Sequence, residues 1–152
     1  MKHWWQPESP VSYQEKAFCE FFYDTVVALE SEGVVVLDMM PGVSLMLRNK
    51  RHRARVKAII SVSWMGSWKK SLFVLLHELG HVASAKATNN GAKIVMRKSP
   101  SSEKAANTTA CKLLVEFGFE DVVPSYIKMY NDLNKEAIKV GLRKPFKGDE
   151  RV

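Results

Sequence analysis

The chain has 152 residues, 46% hydrophobic and 26% charged, a balance that fits one soluble globular domain with an ordinary core. It has no apolar run long enough for a membrane helix and no secretory signal in its opening MKHWWQPESP; two cysteines, Cys19 and Cys111, are too few for a disulfide framework, so free thiols in a reducing cytoplasm are expected. Twenty-three Lys and Arg against sixteen Asp and Glu give +7, which favours acidic partners, nucleic acid among them, without requiring them.

Residues 1–11 read as an irregular arm, because Pro7 and Pro10 discourage regular structure. From Ser12 onward, Phe18, Phe21, Phe22, Val26 and Leu29 recur at helical spacing and predict an N-terminal helix that Gly33 ends. The β-branched run VVVLDM predicts a buried strand. Beyond Pro41 and Gly42, VSLMLR and VKAIISVSW predict two more, joined through the polar tip NKRHRAR, in a small three-stranded antiparallel sheet.

Lys69 to Ala87 predicts a helix whose apolar side carries Leu72, Leu75, Leu76, Leu79, Val82 and Ala83, closed by TNNG. Ser99 and Pro100 are a good cap and first residue for the next helix, marked by Ala106, Ala110, Leu113 and Phe117 and stopped at Gly118. The last helix starts near Pro124 and turns Tyr126, Ile127, Tyr130, Leu133, Ala137 and Val140 inward. Residues 12–141 thus form a single α+β domain, and 142–152 read as a loose basic tail.

The stretch LLHELGHVA puts two of the chain's four histidines inside an apolar helix. Residues four apart on a helix lie on one face, so His77 and His81 can aim two imidazoles at one metal ion. Glu78 projects about 100° round the helix, beside the metal, where it can hold a water and take its proton. This is the His-Glu-x-x-His pattern of zinc hydrolases. Two packed core histidines are the blander reading, yet buried imidazoles without partners are costly and a metal satisfies both.

A catalytic zinc takes three protein ligands, and no histidine follows His81. The third is therefore a carboxylate among Glu103, Glu116, Glu120, Asp121, Asp132 and Glu136, or Cys111. Glu103 stands out because the next turn of its helix carries Asn107, whose amide could accept the second N–H of a ligand histidine. Its alternative is an ordinary acid near a helix N-terminus. Tyr126, Tyr130 and His52 are the candidates for stabilising an oxyanion, and spacing does not choose among them.

LFVLLHELGHV, followed about twenty residues later by EKAANTTACKLL, resembles the ImmA/IrrE family of small zinc metallopeptidases. The shared positions are His77, Glu78, Leu79, Gly80, His81, Glu103, Ala106, Asn107, Ala110, Leu113 and Leu114. Where the family usually has Phe before the Ala of its second helix this chain has Thr109, and LLVE replaces its Leu-Leu-Met-Pro ending, so it reads as a divergent, stand-alone member. The resemblance implies one zinc bound by His77, His81 and Glu103, with Glu78 catalytic. It also implies a bacterial, phage or mobile-element origin and a protein substrate such as a helix-turn-helix repressor.

Arg48, Lys50, Arg51, Arg53, Arg55 and Lys57 crowd the segment between the second and third strands. They would grip nucleic acid or an acidic substrate, or they form a solvated hairpin tip. They also support a second reading of the whole chain, as a metal-stabilised regulatory or nucleic-acid-binding protein without turnover. The intact Glu78 argues against it, since a structural zinc would not need that acid.

Overall fold

The computed structural model of the chain describes residues 13–38, 42–45, 58–84 and 100–148. Helix α1 (Tyr13–Ser31) leads into strands β1 (Val34–Leu37), β2 (Gly42–Leu45) and β3 (Ala58–Ser61), and then helices α2 (Trp68–Ser84) and α3 (Pro100–Glu116). A single 3-10 turn, Glu120–Val122, precedes α4 (Val123–Leu133) and the short α5 (Lys135–Lys139). The order is that of an α+β chain, and most described residues are helical.

The sheet is mixed, which corrects the antiparallel expectation. The strand order is β1-β3-β2, with β3 antiparallel to β2 and parallel to β1. Parallel pairing needs a crossover, and here the chain leaves β1 for the far edge before returning to the centre. Val34 and Val36 of β1 and Ala58 and Ile60 of β3 alternate inward, as a half-buried pleat requires. They meet Phe22, Val26 and Leu29 of α1 and Leu72, Leu75 and Leu76 of α2.

Helix α2 runs through the middle of this core, packed against α1, β3 and α3. Its start is fixed twice: Ser67 Oγ accepts the Lys70 N–H at 3.2 Å, and Glu15 Oε1, from α1, accepts the Trp68 N–H at 3.2 Å. Helix α3 ends in a Schellman motif around Gly118 (φ 85°), with the Phe119 N–H on the Leu114 carbonyl at 2.7 Å and the Gly118 N–H on that of Val115 at 3.1 Å.

Two further expectations change. The last helix breaks at Asn134, whose backbone N–H and Nδ2 both donate to the Tyr130 carbonyl, at 3.1 and 2.8 Å. Residues 142–148, expected as part of the tail, pack against α4. Phe146 is buried beside Tyr130, and Asn131 of α4 accepts its N–H at 2.8 Å and donates to its carbonyl at 2.9 Å. An apolar ring in a basic segment is enough to anchor it. Among the described residues no helix is long and apolar enough to cross a membrane. Cys19 and Cys111 are not joined in a disulfide.

Candidate metal centre

Helices α2 and α3 cross at Gly80 and Ala106. A Cβ at Gly80 would fall on the Ala106 carbonyl oxygen and lie 2.7 Å from its Cα, so only glycine permits this approach. Closeness here brings the first turn of α3 over the histidine face of α2. His77 Nε2 and His81 Nε2 lie 3.1 Å apart, and the Glu103 carboxylate reaches His81 Nε2 at 3.0 Å and His77 Nε2 at 3.2 Å. Among the described residues these three form the group that could hold a metal ion.

The tautomer supports that use. A neutral His77 carries its proton on Nδ1, where Asn107 Oδ1 accepts it at 2.8 Å, and then turns the Nε2 lone pair toward the Glu103 carboxylate. In that form two acceptors face each other in a buried site, which a cation between them, a proton or a metal ion, reconciles. The same Asn107 oxygen accepts the Tyr126 hydroxyl at 2.7 Å, and Tyr126 stacks edge-on against Phe73 of α2. Burial above all, then the neighbouring Cys111, Tyr130 and carboxylates, push the Tyr126 phenol well up, so it stays a protonated donor.

Glu103 is held from both sides. Tyr130 donates to Oε2 at 3.1 Å, and an Arg143 guanidinium nitrogen lies 3.1 Å from Oε1. Burial works to raise the Glu103 pKa, but hydrogen bonds and charge from His77 and His81 prevail and hold it well below the usual carboxylate range. Burial likewise opposes the charge on Arg143, and Glu103 with Tyr130 outweighs it, so the guanidinium is held even more firmly charged. Tyr130 is shifted upward, first by burial and then by the Glu103 charge.

Glu78 is 4% exposed and lines a cavity of about 270 Å³ together with His77, Glu103, Tyr126, Tyr130 and Arg143. The sequence-predicted residues His77, Glu78, His81, Glu103, Asn107, Tyr126 and Tyr130 therefore meet in one place. The other carboxylates considered, Glu116, Glu120, Asp121, Asp132 and Glu136, are exposed, and Cys111 is in the core. His52 and the basic residues Arg48, Lys50, Arg51, Arg53, Arg55 and Lys57 lie outside the described residues. Trp68 is buried against Phe22, and Trp64 is half-exposed beside it.

Sequence reasoning missed Arg143, because it sits in a segment whose composition suggested a tail; Phe146, three residues on, was the signal. No known protein family, curated protein or solved structure matches the chain.

Proposed function

We propose that this chain is a zinc-dependent endopeptidase, similar in motif to the ImmA/IrrE metallopeptidases, that cuts a specific intracellular protein such as a helix-turn-helix repressor. One observation carries the reading: His77, His81 and Glu103 converge within 3.0–3.2 Å while Glu78, which is no part of that set, lines the same cavity. Ligands about 2.0–2.1 Å from a tetrahedral zinc stand roughly 3.3 Å from one another, so the donor separations suit that ion. Two histidines and a glutamate also leave the open position that catalytic zinc sites need.

A zinc ion held there would supply a Lewis acid that polarises the scissile carbonyl and lowers the pKa of water. The chain's own groups do the rest. Glu78 accepts the proton of the attacking water and delivers it to the leaving amine. Asn107 fixes the His77 ring in the tautomer that keeps Nε2 free. Tyr130 and Arg143 orient Glu103 and stand at the cavity wall, where either can turn to the developing oxyanion.

The test is Glu78→Gln, which keeps shape and removes the base. The variant should hold zinc like wild type and lose cleavage by about 10²–10⁴-fold. The readout is the set of new protein N-termini in host cells expressing each form. If the two forms yield the same set, proteolysis is not the function.

A further inference from the structure

Two cavities meet at the metal centre, and their walls differ in kind. Both are lined by Glu103, Tyr130 and Arg143, so they lie on either side of those residues. On the Glu78 side the remaining wall is largely apolar, with Met65, Val74, Met129 and Leu133. On the other side a cavity of about 360 Å³ is lined by Lys104, Arg143, Lys144 and Lys147, with Glu103 as its sole carboxylate.

These cations come from two separate elements. Lys104 follows Glu103 on α3, whereas Arg143, Lys144 and Lys147 ride on the segment that Asn131 clamps through Phe146. Among the described residues Arg143 is paired with Glu103, and no acidic side chain pairs with Lys104, Lys144 or Lys147. Three exposed ammonium groups round one concave wall, paired with no carboxylate among the described residues, form a site for an anion.

We propose that the substrate is an acidic peptide, bound with an apolar side chain in the Glu78-side cavity and a carboxylate side chain among Lys104, Lys144 and Lys147. This deepens the peptidase reading and rests on it. A nucleic-acid backbone suits the pair less well. Phosphates recur along a strand and need charge along the whole track. Here, among the described residues, the positive wall stops at the metal centre and an apolar one begins.

Binding by zinc-loaded Glu78→Gln protein tests the idea apart from turnover. The probes are short fluorescent peptides with a leucine flanked on either side by glutamates, glutamines or lysines, read by anisotropy, with single-stranded DNA as competitor. The glutamate peptides should bind roughly tenfold tighter than the glutamine ones, the compound effect of three exposed ion pairs. High salt should erase that advantage, as should Lys104→Ser, Lys144→Ser and Lys147→Ser combined. Equal affinity for glutamate and glutamine peptides overturns the proposal, and so does DNA that outcompetes the acidic peptide at those lysines. Zinc content, measured on the same preparation, separates this result from a failure of the metal centre. Acid preference without any cleavage by wild type would sink the peptidase reading instead.

Discussion

Gly80 and Ala106 touch backbone to backbone, and the spacing of the two helices that carry His77, His81 and Glu103 depends on that contact. A methyl group at position 80 has no flexible neighbour to displace, since what it meets is main chain. Gly80→Ala should therefore push α3 outward, lower stability by about 1–3 kcal/mol and cut zinc affinity more than stability. Thermal unfolding with and without zinc, beside elemental analysis, reads both effects. Full zinc content in the variant would mean that the histidine face and Glu103 do not need this spacing.

Metal content is the next expectation. The chain should carry about one zinc, and His77→Ala, His81→Ala and Glu103→Ala should each lose it, since each removes one of three ligands. Chelation should lower the melting temperature of wild type and leave that of Glu103→Ala where it was, because an ion that binds only the folded chain stabilises it by mass action. Unchanged zinc affinity in Glu103→Ala would point to another ligand.

Asn107 holds two donors on one oxygen, the His77 Nδ1–H and the Tyr126 hydroxyl. Asn107→Ala removes that shared acceptor and leaves the His77 Nδ1–H only the longer contact to the Tyr126 hydroxyl, at 3.2 Å. Zinc affinity should fall about 10–100-fold, and Asn107→Asp, which keeps an oxygen in place, should recover much of it. Competition with a fluorescent zinc chelator measures each variant. Equal affinity across the three proteins would remove Asn107 from the site.

Phe146→Ala tests the clamp on the C-terminal segment. The ring is buried next to Tyr130, so its loss should cost about 1–3 kcal/mol, less than a central core phenylalanine because the segment can collapse inward. Arg143 then loses its fixed position near Glu103, while His77 and His81 keep theirs on α2. Denaturant unfolding should register the loss, and susceptibility of residues 142–148 to limited proteolysis should rise. A variant as stable and as resistant as wild type would show that Phe146 anchors nothing.

The convergence of His77, His81 and Glu103 was legible because its logic is local. His77 and His81 share one helical face, Glu103 and Asn107 share the next, and a period near 3.6 reveals both. The direction of strand pairing was not, since VVVL and AIIS alternate alike whether β3 runs with β1 or against it. Arg143 escaped for the converse reason. Its partner Glu103 lies far away in sequence, and the anchor that brings them together, one phenylalanine and one asparagine, is submerged in charged residues.

The two hydrogen bonds between Asn131 and Phe146 give the site parts of unequal durability. His77 and His81 belong to a helix sunk in the core, whose amides should open to exchange only when the whole domain unfolds. The Phe146 amide belongs to a short strap, held by one buried ring and two hydrogen bonds, that carries Arg143, Lys144 and Lys147 and should exchange sooner. Amide exchange should thus separate two units within one centre: the helix that carries His77 and His81, and the strap that brings three of the four cations to its rim.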